Sequence, residues 1–369
     1  TGPQAPFANL PTSIEQNALW ISDCINKMEN EGYEFLHFGG GSLGTAVAVY
    51  LSRAGHTVTL VPRRIEHALA LSSERENRDY LPGIQFDSNM QVGCSLRPVL
   101  MECDYVFLAC PSHALRETCR QANSFKEDSW KLRGTIALCK GLEPKSNLFA
   151  HEVMQEEWGK NVRSGYLTGP SHAHDVAEGK PAAMVLAMDC EEEELVDLQR
   201  NLSSPAMRIY RSEDRVGVGL GSCLKNVYAI ATGLSDGLGL GDNARAALLT
   251  RSINEMMALG VALGGERETF FGLSGFGDLI ATCMGEWSRN RTFGLTLAKG
   301  AKPDEVVGSQ KTVVEGYSAT ACFFDKCSDL GVEMPILSEV YSILHKGKAP
   351  SLAIADLMGR DLKAESESE

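Results

Sequence analysis

The stretch Glu34-Phe35-Leu36-His37-Phe38-Gly39-Gly40-Gly41-Ser42-Leu43-Gly44-Thr45-Ala46-Val47 decides the fold. An apolar run ends in glycines at 39, 41 and 44, after which Leu43, Val47, Leu51 and Ala54 recur at helical spacing. Each glycine has a physical task in a phosphate-binding turn. The first permits the tight turn, the second lets backbone approach a pyrophosphate, and the third lets the helix pack on the strand, whose following helix N-terminus attracts the phosphates. A chance Gly-rich turn is the alternative, and the strand, helix and second strand in register argue against it.

Working outward, short apolar runs at 34–38, 56–61, 105–110, 134–139, 162–167 and 182–188 read as strands, alternating with helical patterns as a parallel α/β sheet requires. From about Val216 onward the pattern is helical with Gly-rich punctuation. The expected architecture is α/β: a Rossmann-type dinucleotide-binding domain over 34–215 followed by an all-α substrate and catalytic domain over 216–363. Residues 1–33, with three prolines and a short helical pattern at 13–28, read as an N-terminal extension, and 364–369 as an acidic, solvated tail.

The chain has 369 residues, 43% of them hydrophobic, enough for roughly two domains with a large core. A formal charge of −13 argues against nucleic acid or an anionic membrane as partner, since both are held by basic patches. An anionic substrate must then meet a local cluster of Lys and Arg. The eleven cysteines lack a Cys-x-x-Cys pair and sit in apolar segments, which reads as buried, reduced thiols of a cytoplasmic protein. No apolar run is long enough for a membrane span.

After the second strand comes Pro62-Arg63-Arg64, where an NAD-selective site would place an acidic residue for the ribose 2′-hydroxyl. Arginine there can pair with a 2′-phosphate, so NADP(H) is the expected cofactor, with NAD(H) left open. Ordinary surface charge is the competing reading.

Three further positions suggest chemistry. Lys140 follows the strand at 134–139, at the sheet edge where ligands of open α/β sheets bind. Lys225 lies in a helical stretch whose own face is small (Gly221, Ser222, Ala229 and Thr232), leaving room for a ligand or another backbone; a snorkelling surface lysine would look the same. Asp278 sits in Gly272-Leu273-Ser274-Gly275-Phe276-Gly277-Asp278, either a site residue or a helix cap. Ser288-Arg289-Asn290-Arg291 offers two guanidinium groups suited to phosphate, or simply charged surface.

In order along the chain, Gly-Gly-Gly-Ser-Leu-Gly-Thr-Ala at 39–46, Cys-Lys-Gly-Leu-Glu at 139–143, Gly-Pro-Ser at 169–171, Leu-Lys-Asn-Val at 224–227, Gly-Asp-Asn-Ala-Arg-Ala-Ala at 241–247, Gly-Phe-Gly-Asp-Leu at 275–279, Ser-Arg-Asn-Arg at 288–291 and Val-Val-Glu-Gly at 313–316 resemble the bacterial type of NAD(P)-dependent sn-glycerol-3-phosphate dehydrogenase. The resemblance covers about residues 34–363. It implies reversible hydride transfer between NAD(P)H and the C2 carbonyl of dihydroxyacetone phosphate, feeding glycerophospholipid synthesis, with Lys225 as general acid and base and Lys140 and Asp278 completing the site. By matching position, Gly169, Ser171, Ser288, Arg289 and Asn290, with the same two lysines and Asp278, would hold the small phosphorylated substrate. Gly39, Gly41, Ser42, Leu43, Gly44, Arg63, Arg64, Lys140, Ala173, Arg289, Val313 and Glu315 would hold the cofactor.

The residue types suit that chemistry. The nicotinamide handles the hydride, so side chains need manage only the proton, the developing alkoxide and the phosphate. Burial and Lys140 should lower the Lys225 pKa, and Asp278 should oppose that shift. The chain departs from the family pattern in having Leu43 for an aromatic residue, His172 for Phe and Cys139 for Thr. His172 and His174, without a carboxylate or thiolate companion at suitable spacing, do not make a metal site, and none is expected. A different NADP-linked dehydrogenase on the same plan, or a sensor that lost its chemistry, are the other readings; the two lysines, Asp278 and the Ser-Arg-Asn-Arg run count against both. A homodimer is the base-rate expectation.

Overall fold

The computed structural model describes residues 33–125, 131–309, 314–362 and 364–365. The pattern expected at 13–28 lies outside them, as do Cys24 and most of the acidic tail.

The opening strand β1 (Glu34–Phe38) leads into helix α1 (Ser42–Arg53), and β2 (Thr57–Val61) into α2 (Ile65–Glu74). A small antiparallel hairpin, β3 (Glu76–Asn77) and β4 (Leu81–Gln85), precedes β5 (Met90–Val92) and α3 (Arg97–Glu102). There follow β6 (Tyr105–Leu108), α4 (Leu115–Asn123), β7 (Gly134–Ala137), α5 (Ala150–Trp158), β8 (Arg163–Thr168), α6 (Ala173–Glu178), β9 (Ala182–Met188), α7 (Glu192–Leu202) and β10 (Met207–Ser212). Eight strands form one sheet in the order β10-β9-β8-β7-β6-β1-β2-β5. Its central strands are covered on both faces, which is why they read as unbroken apolar runs: Phe35, Tyr105 and Phe107 pack on one side, and Leu36, Phe38, Val106 and Leu108 on the other.

One pairing departs from the expected parallel sheet, because β8 and β9 are antiparallel. The helix between them, α6, has six residues and spans only about 9 Å, too short to carry the chain back along β8 for a parallel return. The strand order reverses at β1, flanked by β2 and β6, so a crevice opens at the carboxyl ends of β1 and β6.

Beyond Ser212 every described element is helical: α8 (Arg215–Gly237), α9 (Gly241–Ala262), α10 (Asp278–Met284), α11 (Arg289–Ala298), α12 (Pro303–Ser309), α13 (Glu315–Leu330), α14 (Pro335–Lys346) and α15 (Pro350–Met358), with short 3₁₀ and π turns before α10. Helix α8 starts under an Asp214 cap, whose carboxylate accepts from Gly217 N at 2.7 Å, and is buried on every side from Gly217 to Ser235. Its small residues admit neighbouring backbones: a Cβ on Gly233 would lie 2.0 Å from the Arg291 carbonyl oxygen, and one on Gly294 2.1 Å from that of Ile230. That interlock sets α11 against α8.

The cysteine expectation needs correction at two places. Cys94 is exposed and Cys190 half-buried, since both lie in loops at the sheet margin, outside the packed strands and helices.

Candidate active site

A cleft of about 620 Å³ runs from the glycine turn after β1 to the middle of α8. Its first wall is the turn itself. Gly39 has φ +123°, and a Cβ there would lie 2.8 Å from the carbonyl of Ala109, where the chain leaves β6. A Cβ on Gly44 would lie 2.5 Å from Gly39 O and 2.6 Å from the Ala109 side chain, whereas one on Gly41 would meet nothing within 4 Å. The first and third glycines thus serve close packing, and the second leaves an open approach in front of the first turn of α1, whose N–H groups have no intrahelical acceptors. Ser42 and the half-buried Leu43 line the same wall. This is a cradle that a pyrophosphate fits.

Arg63 and Arg64 are exposed at the far end, beside His67 and Tyr80. Five Lys and Arg side chains line the described cleft (Arg63, Arg64, Lys140, Lys225 and Arg289) against two carboxylates, Asp278 and Glu315. On a chain of net charge −13 this is the local cationic cluster that an anionic ligand requires.

At the other end, Asp278 is fully buried and lies between two ammonium groups. Its Oδ1 accepts from Lys225 Nζ at 2.5 Å and its Oδ2 from Lys140 Nζ at 2.8 Å. Lys140 also donates to the Gly169 carbonyl at 3.1 Å and to Ser171 Oγ at 3.2 Å, and Lys225 to Thr282 Oγ1 at 2.7 Å. Lys225 is therefore no snorkelling surface residue. Burial draws its pKa down to about 8; Asp278 opposes that shift and Lys140 adds to it. The small face expected beside Lys225 receives another backbone, because a Cβ on Gly221 would lie 2.7 Å from Ser274 O. Ser274 belongs to a π-helical turn, Leu273–Gly277, that runs directly into α10, so Asp278 opens that helix without capping it through its side chain.

The remaining expected residues divide. Ser171, Ala173, Ser288, Arg289, Asn290 and Glu315 line the cleft. Gly169 meets it only through the carbonyl that Lys140 holds, and Val313 lies outside the described residues. Ser288 Oγ accepts from Arg291 N at 3.3 Å as the cap of α11. The carboxamide of Asn290 donates to Asn226 Oδ1 at 2.9 Å and accepts from Gly316 N at 3.0 Å, so much of its capacity is spent inside the protein. Of the two guanidinium groups in the Ser-Arg-Asn-Arg run, only Arg289 faces the cleft; Arg291 turns away to Asp236 at 2.7 Å.

Two participants were not singled out from the sequence. Asn226 donates to the Lys140 carbonyl at 3.0 Å and to Glu315 Oε2 at 3.4 Å, tying the sheet edge to α8 and α13. Thr282 shares Lys225 with Asp278, and its spacing of four from Asp278 within one helix was the available signal. His172 Nδ1 lies 3.1 Å from Asp175 Oδ2, a carboxylate already bound by Lys180, so the contact is a hydrogen bond within the start of α6. The His172 ring stacks on Trp287 across the cleft, centroids 4.8 Å apart.

Two family profiles match, described as the N-terminus (residues 36–194) and the C-terminus (residues 214–355) of NAD-dependent glycerol-3-phosphate dehydrogenase. A protein of Moorella thermoacetica named glycerol-3-phosphate dehydrogenase [NAD(P)+] is 43% identical over 89% of this chain and 97% of its own. Its namesake in Clostridium tetani is 37% identical over 95% and 99%. The crystal structure of glycerol-3-phosphate dehydrogenase from Coxiella burnetii superposes with a TM-score of 0.84 at 35% identity, covering 89% of this chain and 99% of that one.

Proposed function

The chain belongs to the NAD-dependent glycerol-3-phosphate dehydrogenase family, and we propose that its cleft is where dihydroxyacetone phosphate and sn-glycerol 3-phosphate are interconverted, with Lys225 as the acid and base. The observation that carries the assignment is the single buried carboxylate of Asp278 held between two lysine ammoniums, at the end of a cleft that begins on a pyrophosphate cradle.

When bound, the dinucleotide supplies or takes the hydride at C2. Every other task falls to side chains. Lys225 gives a proton to the C2 oxygen during reduction and its neutral amine takes the proton back during oxidation; with a pKa near 8 both forms are accessible near neutral pH. Lys140 keeps a second positive charge beside the developing alkoxide, and Asp278 fixes both ammoniums so that neither must reorganise. Arg289, with Gly169, Ser171, Ser288 and Asn290, forms the substrate-holding wall. Gly39, Gly41, Ser42, Leu43 and Gly44 hold the pyrophosphate, Arg63 and Arg64 a 2′-phosphate, and Lys140, Ala173, Arg289, Val313 and Glu315 the rest of the cofactor.

The same reading divides the chain at 215–216 into a dinucleotide-binding and a helical catalytic domain, supported by the last sheet strand ending at Ser212 and α8 beginning at Arg215. It places the enzyme in the cytoplasm as a homodimer feeding glycerophospholipid synthesis; among the described residues no helix is long and apolar enough to cross a membrane.

Oxidation of NADPH in the presence of dihydroxyacetone phosphate is the test. Absence of turnover by folded protein overturns the assignment. A strong preference for NADH in the same assay overturns the role of Arg63 and Arg64 while leaving the reaction intact.

A further inference from the structure

We infer that Asn77 is a positioning residue for the dinucleotide, aiming the Gly41 N–H into the cleft by holding the Gly40 carbonyl inward. The inference rests on the dinucleotide reading above and deepens it.

Asn77 ends the two-residue strand β3, at an irregularity in the small hairpin with β4. It is fully buried, yet every polar position of its carboxamide has a partner. Nδ2 donates to Gly40 O at 2.9 Å and to Thr45 Oγ1 at 2.8 Å, and Oδ1 lies 3.3 Å from His67 Nε2. The segment is tied to the loop a second time, since Ser42 Oγ donates to the Tyr80 carbonyl at 2.6 Å. His67 closes on the loop from the other side: a Cβ on Gly40 would lie 3.0 Å from its ring.

The consequence follows from peptide geometry. In a trans peptide the carbonyl of one residue and the N–H of the next point to opposite sides. Three consecutive glycines could rotate the 40–41 peptide at little steric cost, and a rotated peptide would present a carbonyl oxygen to the phosphates where an N–H is needed. Asn77 anchors that oxygen in the protein interior, so the N–H of Gly41, the glycine with open space before it, faces the cleft. His67 and Tyr80 line the cleft beside Arg63 and Arg64, so one network spans the phosphate loop and the end where a 2′-phosphate would sit.

The test titrates NADPH and NADH directly, by the change in their fluorescence on binding, into the wild-type chain and into Asn77→Ala, Asn77→Asp and Thr45→Val, with thermal unfolding and steady-state kinetics alongside. Asn77→Ala is expected to raise the Kd of both cofactors about ten-fold, because the pyrophosphate is common to both. Asn77→Asp, the same shape with an oxygen in place of the donor, should raise it further. Thr45→Val keeps the Gly40 bond and should lower the melting temperature with Kd near wild type. A purely structural Asn77 would lower the melting temperature of its own variants and leave Kd, and the ratio of cofactor KM to substrate KM, unmoved; that result overturns the inference even if Asn77→Ala folds too poorly to measure, because Asn77→Asp carries the same prediction. A wild-type chain that binds neither cofactor is a different failure and overturns the dinucleotide reading itself.

Discussion

Two carboxylate clusters lie against helix α8, alike on paper but built from different cations. Near its middle, Asp278 sits between Lys225 and Lys140; near its end, Asp236 sits between Arg245 and Arg291. In the second cluster each guanidinium grips one carboxylate oxygen with two nitrogens, Arg245 at 2.8 and 2.7 Å and Arg291 at 2.9 and 2.7 Å. Guanidinium cannot be deprotonated in a protein, and its planar fork locks the pair. That cluster is a permanent clamp between α8, α9 and α11. The lysines hold Asp278 through single points, line the cleft, and include one ammonium whose pKa lies near 8. A cluster built from lysine can hand over a proton, and one built from arginine cannot.

The sharpest break of this contrast is at Lys225. Lys225→Ala should lower kcat by about 10²- to 10⁴-fold while NADPH binding stays measurable. Lys225→Arg keeps the charge and removes the titration, so it should be nearly as inactive. Stopped-flow turnover of both variants decides: an active arginine variant would mean that fixed charge suffices and that the two clusters do not differ in kind.

The opposite perturbation is Asp236→Ala, which leaves two arginines facing each other without a carboxylate. It should cost about 2–3 kcal/mol of stability, less than a fully desolvated pair because both guanidiniums are partly exposed. Urea unfolding measures the loss, and kcat of the folded variant should stay within about two-fold of wild type, since the cluster supplies no proton. A large fall in kcat at unchanged stability would break the division of labour.

How far the contrast was legible in the sequence depends on what each residue needs from its neighbours. The glycine turn, its flanking strands and the helical second half follow from local pattern, because period and turn chemistry are local properties. The reversed direction of β9 does not, as periodicity is the same for either direction. Strand β4 contains Pro82-Gly83, and β10 is an edge strand whose exposed faces carry Arg208 and Arg211, so neither gives a clean apolar run. Lys140, Lys225 and Asp278 are legible through the company they keep. Asn226 and Asn77 leave no local signal because a buried amide is specified by partners outside its own element, 86 residues away for Asn226 and Lys140 and 37 for Asn77 and Gly40. For the same reason Arg291 read as a phosphate donor. Asp236, which claims it, lies 55 residues upstream with nothing local to announce the pairing.

Acidity offers a smaller and more continuous test of the lysine cluster. The Lys225 pKa is lowered from 10.5 to about 8, so its protonated form is lost as pH rises through 8. With Lys225 as the proposed acid and base, reduction draws on the ammonium, and its kcat/KM should fall about ten-fold per unit above pH 8; oxidation draws on the amine, and its kcat/KM should fall by the same factor per unit below pH 8. Initial rates in both directions across pH 6–10 test this. Parallel profiles would assign the proton to another group. Replacing Arg245, in the fixed cluster, should move neither limb.

The mildest effect, and the most local comparison, lies within one tetrapeptide. Arg289 and Arg291 are two residues apart, at the start of α11, yet one lines the cleft and the other is held by Asp236. Side chains two positions apart on a helix face different directions, so neighbourhood in sequence does not imply a shared role. Arg289→Ala should raise the KM for dihydroxyacetone phosphate roughly five-fold, a modest loss because the side chain is exposed and its pairing with phosphate is screened by solvent. Its unfolding midpoint should stay put. Arg291→Ala should do the reverse, shifting the midpoint and leaving KM alone. If both variants raised KM equally, the second guanidinium would have to reach the substrate after all, and the Asp236 clamp would have to open for it to do so.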